Sequence, residues 1–351
     1  MRSDPRARPT LAWLALAAVY VVWGSTYLAI RVAVRDLPPG ILAGSRYLLA
    51  GLMLYPIAVR SGPAQLRLTD RPQGRHWLTC AVVGVLLLVM GNGGVTFAER
   101  TVPSGSTAVL VATVPLWMVV FGVLIDHNRV TAAGGLGLGI GLAGVAVLAG
   151  GGPLRGHWVG MCIVLAASAS WGLGSVIGQH LRLPRRALLA AAMQMLVAGA
   201  VLLTLAALSG ELGELRWSAV PVESWLALLW LIAPGSILAF TAYGYSLTHL
   251  PITTVSTYAY VNPVVAVALG TALLGETLAL REALGTGLVV FSVVLTMHRA
   301  LPKVEGSAEE DQPDQRVVRY TRTAPGTPAR DVPLRSGVSG QTRQVDDQPT
   351  R

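Results

Sequence analysis

The chain has 351 residues, 53% hydrophobic and 13% charged, with mean hydropathy +0.57 and net charge +9. A soluble domain carries about 25% charged residues, so this composition excludes a water-exposed globular surface and points to lipid as the solvent. The charge excess does not mark a nucleic-acid partner: residues 302–351 balance eight basic against eight acidic groups, leaving the surplus in short loops, where arginine orients a membrane protein.

In chain order, a basic N-tail over 1–10 carries Arg2, Arg6 and Arg8. The first apolar segment, Leu11 to Ile30, is long enough to span a bilayer at about 20 residues. A charged start before an apolar run is also how a leader peptide reads. However, Trp23-Gly24 of this segment recurs at Trp171-Gly172, and a cleaved leader would not share a repeat with the mature chain. Further apolar segments cover approximately 40–59, 76–97, 103–124, 131–150, 157–180, 186–208, 224–247, 252–273 and 282–299. Each is expected to be a helix, because hydrocarbon offers no water to satisfy an open backbone. After Leu301 the composition turns to Pro, Gln, Asp, Arg, Thr and Gly, the mark of a disordered tail over 301–351.

The landmarks repeat at an offset of 148: Trp23-Gly24 returns as Trp171-Gly172, Pro103 as Pro251, Pro115 as Pro263, Gly122 as Gly270, and Arg46 as the polar Gln194. The expected fold is therefore an all-α integral membrane protein with ten transmembrane helices in two repeats, 11–150 and 157–300. Five helices per copy puts the copies in opposite orientations, an architecture of secondary transporters. Loop lysines and arginines divide thirteen against six between the two faces, which places both termini in the cytoplasm of a multi-pass cell-membrane protein and the loop after the seventh segment outside.

Several motifs are excluded by context. Gly139 to Gly144 matches G-x-G-x-x-G, but inside an apolar segment it has no strand to follow. The glycines at spacing four there, with Ala143, suit close helix packing and, as a lesser reading, a homodimer face. The only lysine is Lys303, so the P-loop lysine is missing. The six histidines sit at or near segment ends, where surface positions are the commoner reading, and form no metal pattern. Cys80 and Cys162 lie in apolar segments and read as buried small hydrophobes rather than a disulfide pair.

Arg46 stands out, because a mid-segment arginine costs about 2.5–3.5 kcal/mol and calls for a polar cavity or a partner. It reads either as a substrate contact attracting an anionic group or as a structural brace. Asn92, between glycines, is a substrate contact or a helix–helix hydrogen bond. Asn262 precedes Pro263 and reads first as a partner for the backbone that the proline frees. Pro115 and Pro263 are expected kinks at equivalent places and candidate hinges. Aromatics gather along the same segments, including Trp23, Tyr27, Tyr47, Trp117, Trp171, Tyr243, Tyr245, Tyr258 and Tyr260. Of these, Trp23, Trp171, Tyr243 and Tyr258 are deepest and fit an amphipathic or aromatic substrate. Glu99 is the best candidate for ion coupling, although Arg100 beside it and its terminal position favour an interface residue.

Val22-Trp-Gly-Ser-Thr-Tyr27, Arg46-Tyr47, Glu99, Val102-Pro-Ser104, Pro115-Leu-Trp117, Asn262-Pro263 and Leu274-Gly-Glu276 resemble the EamA family of the drug/metabolite transporter superfamily over roughly residues 10–300. The first repeat departs from the family at Ile125-Asp-His127, where Leu-Gly-Glu is usual. The resemblance implies a non-ATP exporter of small metabolites or amphipathic compounds, with a central cavity between repeats, no cofactor and no enzyme activity. Trp23, Tyr27, Arg46, Asn92, Trp117, Trp171, Tyr243, Tyr258 and Asn262 are the candidate substrate contacts. The partners expected are a small-molecule substrate and the bilayer. The alternatives are a facilitative carrier or importer, and a non-transporting scaffold using the C-tail.

Overall fold

The computed structural model of the protein describes residues 7–61, 70–127, 132–149, 157–250, 252–255, 257–276 and 279–299. The expected C-tail, most of the N-tail, Pro251 and the side chain of Tyr260 lie outside the described residues. All described elements are helical. They are α1 (Ala7–Ala33), α2 (Pro39–Arg60), α3 (Gly74–Gly84 continued through Ala98), α4 (Ser104–Val111 and Val114–Asp126), α5 (Ala132–Ala149), α6 (Trp158–His180) and α7 (Ala187–Leu208). After two short helical turns over 211–219 come α8 (Val222–Ile232 continued through His249), α9 (Tyr258–Leu274) and α10 (Leu280–Arg299).

Seven of these, α1 to α4 and α6 to α8, are long and apolar enough to cross a membrane, while the apolar parts of α5, α9 and α10 are shorter. Large apolar side chains on both copies point outward, among them Leu14 (62% exposed), Leu78 (68%), Leu136 (60%) and Leu273 (65%). In water such a belt would drive aggregation; against acyl chains it costs nothing. Cys162 belongs to this exposed surface, contrary to the expectation of burial, whereas Cys80 is buried.

The duplication is visible in the packing. A Cβ on Gly51 would press on Leu196, and one on Gly199 would press on Leu48; adding 148 to Gly51 and Leu48 gives Gly199 and Leu196. Gly44 meets Leu203 further along the same seam. As the α2 number falls the α7 number rises, so these two equivalent helices run antiparallel, held close where the glycines leave room. A second reciprocal pair joins Gly24 of α1 to Val265 of α9 and Gly172 of α6 to Trp117 of α4. Each copy thus lays its first helix on the fourth helix of the other.

The helix irregularities repeat in part. α3 widens into a π-helix over Val85–Gly93, and α8 does so over Ala233–Leu238; adding 148 to Val85 gives Ala233. π-turns displace side chains relative to a regular helix and recur at functional sites. α4 breaks at Ala112-Thr113, so Pro115 opens its second half rather than kinking a continuous helix, a position where its missing N–H is not needed. Pro263 lies inside α9, which is entered through a separate turn, Ile252–Val255.

Three carboxylates cap helix starts across the copies, each filling orphan N–H groups that a membrane helix must satisfy. Glu211, past the end of α7, accepts from Gly40 N (3.3 Å) and Ile41 N (3.0 Å) at the start of α2. Asp70, in the loop after α2, accepts from Arg185 N (2.9 Å) and Arg186 N (3.0 Å) at the start of α7. Arg186 in turn donates to Asp70 Oδ2 (3.3 Å) and to the carbonyls of Ala58, Val59 and Ser61. Burial alone raises the Asp70 carboxyl, but the two backbone N–H groups and then the Arg186 guanidinium outweigh it and hold it below the usual carboxylate range. Glu276, past the end of α9, accepts from Ser104 N and Oγ (both 2.9 Å) and Gly105 N (3.2 Å) at the start of α4.

Candidate functional site

The π-turn of α8 organises the candidate site. Widening the helix turns the Gly235 carbonyl and the Ser236 hydroxyl toward α1 and α2. Ser236 Oγ donates to Leu231 O (2.9 Å) within its own turn and accepts from Arg46 Nε (3.0 Å). One residue earlier, Gly235 O accepts from the Trp23 indole N–H (3.3 Å). Arg46 and Trp23, from different helices, are thereby fixed to neighbouring residues of one turn.

Arg46 is buried, 4% exposed. Besides Ser236 it reaches Asn92 Oδ1 at 3.5 Å, and its guanidinium carbon lies 5.0 Å from the Tyr47 ring centre. Among the described residues no carboxylate comes within ion-pair distance of it. A guanidinium carries five N–H donors; here a hydroxyl and an amide oxygen answer two of them. The site therefore holds a buried positive charge with donor capacity left over, at a depth where an anionic oxygen would be bound strongly.

Trp23 is the centre of an aromatic cluster. Phe240 and Tyr258 stand edge-on to it at 5.3 and 5.2 Å, and Tyr243 lies tilted at 5.2 Å. Tyr243 and Tyr258 meet each other edge-on at 5.7 Å. These four rings and Arg46 join an apolar, polarisable surface to a cation across the π-turn.

The remaining candidates separate. Tyr27 lies in the electrostatic reach of both Arg46 and Glu99, one turn along α1 from Trp23. Trp171 does not join the cluster: it packs on Gly91 in the α3 π-turn and on the hydrophobic core. Trp117 stacks on Phe121 and abuts Gly172. Asn262 is buried, and with its amide oriented to donate it bonds Tyr20 O and Tyr258 O, each at 3.3 Å. It thus ties α9 to α1, and within α9 it serves the Tyr258 carbonyl rather than that of Ala259, which Pro263 leaves without its helical donor.

Glu99 corrects an expectation. It is fully buried, not an interface residue, and neither carboxylate oxygen has a hydrogen-bond partner. The chain turns straight into α4 beyond it, and Arg31 Nη1 donates to its main-chain carbonyl, which closes α1 over the end of α3. Arg31, Glu276 and Arg46 are the charged groups acting on it. A histidine expectation fails similarly: His76 is buried, with Nδ1 unpartnered. Among the described residues no three metal-ligating side chains converge.

Gly235, Ser236 and Phe240 were not singled out by the sequence. The signal available was the offset itself, which sets Phe240 opposite Asn92 and Tyr243 opposite Val95.

The chain is similar to known membrane transporters over most of its length. It is 43% identical to the uncharacterized inner membrane transporter YedA of Escherichia coli (strain K12) over 283 residues, 80% of this chain and 89% of that protein. It is 27% identical to a probable terminal-alkyne amino-acid exporter of Streptantibioticus cattleyicolor, covering 82% and 93% of the two chains. A solved crystal structure superposes with TM-score 0.56 at 20% identity, covering 82% of this chain and 98% of the other, which supports the fold alone. The EamA-like transporter family matches residues 10–150 and 158–298, and so the chain, a multi-pass membrane transporter built from two such domains, belongs to that family.

Proposed function

We propose that the protein is a secondary transporter that exports small zwitterionic or anionic compounds with an apolar or aromatic portion. The observation that carries this reading is Arg46, buried with neutral partners and unused donors, set beside the Trp23 cluster across one π-turn. The guanidinium would take the substrate's anionic group and the rings its apolar body. The printed name of the amino-acid exporter among its relatives fits a zwitterion of this kind. In this reading ten helices span the membrane, both termini are cytoplasmic, and the two copies rock against each other to expose the site alternately.

The test has two steps. A metabolite and toxin-resistance screen of cells with and without the protein names the substrate. Purified protein in proteoliposomes should then move that substrate without ATP; a strict requirement for ATP hydrolysis by this chain would overturn the reading. A scaffold function is separated by deleting residues 302–351, which should leave export intact.

A second reading, proton coupling, has its own observation in Glu99, a buried acid whose two oxygens lack partners. Intramembrane acids of this kind serve as proton relays. If Glu99 binds the coupling proton, Glu99→Gln abolishes substrate-driven pH change in proteoliposomes while downhill exchange persists. A facilitator shows no pH change in either form.

A further inference from the structure

The three cross-copy carboxylate caps are distributed unevenly. The α2–α7 pair is held at both faces: Glu211 fixes the start of α2 to the end of α7, and Asp70 with Arg186 fixes the start of α7 to the end of α2. Among the described residues the α4–α9 pair has one such hold, Glu276 at the start of α4. Its counterpart at the turn that leads into α9 lacks the charge. The offset of 148 carries Ser104 to Ile252 and Glu276 back to Asn128, so neither the hydroxyl nor the carboxylate is present. The packing follows the same division. The first half of α4 lies against α9, where Gly105 leaves room for Val267 and Gly270 leaves room for the Glu276 carboxylate. The second half lies on α6, with Gly172 receiving Trp117. At its end Asp126 Oδ1 pairs with His180 Nε2 at 2.8 Å, a contact to α6 and not to α9.

From this asymmetry we infer that the α4–α9 seam is the moving gate, latched by Glu276 on the face where α4 begins, and that the doubly latched α2–α7 pair is the frame it moves against. The inference rests on the transporter reading above for its purpose, though not for its test. One carboxylate accepting three hydrogen bonds at a helix start is strong enough to favour the closed state of that mouth. Among the described residues the opposite mouth has no matching latch, so the protein rests closed at the α4-start face and open, or easily opened, at the other. With both termini cytoplasmic, that resting state loads substrate from the cell interior, the direction an exporter needs.

The test is thiol accessibility and needs no substrate. In the full chain carrying Cys80→Ala and Cys162→Ala, Val267→Cys places a probe in the latched seam. Labelling by a membrane-impermeant methanethiosulfonate is measured from each face, in intact cells and in inside-out vesicles, with membrane abundance determined on the same samples. Glu276→Ala is expected to raise the labelling rate from one face by at least about tenfold, the shift that follows from losing about 1.4 kcal/mol of latch. Ser104→Ala, which removes one of three hydrogen bonds, should raise it less, and Glu211→Gln not at all. Glu276→Gln, which preserves shape and one acceptor, decides the matter alone if the alanine variant does not reach the membrane. A rise from one face supports the latch whichever face it is, and that face also reports the orientation. Unchanged labelling in both Glu276 variants, or an equal rise with Glu211→Gln, would overturn it.

Discussion

Trp23 and Trp171 occupy equivalent places in the two copies, each against a π-turn of the other copy, yet the side chains around them differ. Trp23 meets Phe240, Tyr243 and Tyr258. The positions 148 earlier, which would surround Trp171 in the same way, are Asn92, Val95 and Leu110. Arg46 likewise faces a partner copy whose equivalent residue is Gln194, and Ser236 is matched by Leu88. The backbone devices, by contrast, are duplicated: the reciprocal glycine contacts and the paired π-turns. Symmetry therefore resides in the close backbone packing of the two copies, and asymmetry in the side chains a substrate would touch. A two-fold site would bind a two-fold ligand; a cation on one side and rings on the other suit a molecule with one charged end.

The largest effect is expected at the α2–α7 clasp. Arg186→Ala removes the guanidinium from the buried Asp70 carboxylate and four main-chain carbonyls, and loss of one partner of a buried pair costs about 3–5 kcal/mol. Membrane abundance or thermal stability in detergent should fall sharply; a variant as stable as the parent would show that the α2–α7 clasp carries no weight. Trp23→Phe tests the aromatic half, removing the indole N–H bound to Gly235 and part of the ring contact, together about 1.5 kcal/mol. Transport should drop about tenfold, while Trp171→Phe, at the equivalent place, should leave the rate unchanged. Equal losses from both would mean that the site straddles the pseudo-symmetry axis.

Ser236→Ala sharpens the polar half. Arg46 loses its 3.0 Å acceptor, worth about 1 kcal/mol, so the apparent KM should rise about fivefold with little change in the maximal rate, and Ser236→Thr should restore it. A loss confined to the maximal rate would give Ser236 a role in movement instead. The smallest effect concerns pH. Asp70 is held below its ordinary value near 3.8, so its folded-state advantage is complete above that value and is lost only as pH falls through the lowered one. Stability of the frame should be flat between about pH 5 and 8 in the wild type. A transition in that range that disappears in Asp70→Asn would contradict this.

Much of the fold was legible because a membrane leaves few choices: apolar runs must be helices, and a duplicated run must give duplicated helices. Trp23, Arg46 and Asn92 were legible as well, since polar and amphipathic groups at depth are costly without a use. Other features were not. The π-turns were not legible as such: Gly91 and Gly93 lie in the first and Pro234-Gly235 in the second, but glycine and proline mark an irregular helix without fixing which irregularity forms. Ser236 gained its importance only through that turn. Glu99 looked like an interface residue from Arg100 beside it, but α1 closes over it through Arg31, a contact 68 residues away in the chain. Asn262 bonds main-chain carbonyls, but those of Tyr20 and Tyr258 rather than that of Ala259, the one a missing Pro263 N–H frees.

The most direct test of a site confined to one side of the pair is Arg46→Gln, compared with its mirror, Gln194→Arg. Initial transport rate and membrane abundance are measured on the same proteoliposome samples with the substrate found by screening. Arg46→Gln makes the two copies alike at this position and should insert normally, glutamine being cheaper than arginine in lipid. Its rate should fall at least about tenfold, the loss of about 1.4 kcal/mol of binding, and adding Gln194→Arg should not restore it. Normal abundance with a normal rate in Arg46→Gln would remove Arg46 from the site and contradict the asymmetry on which the proposed function stands.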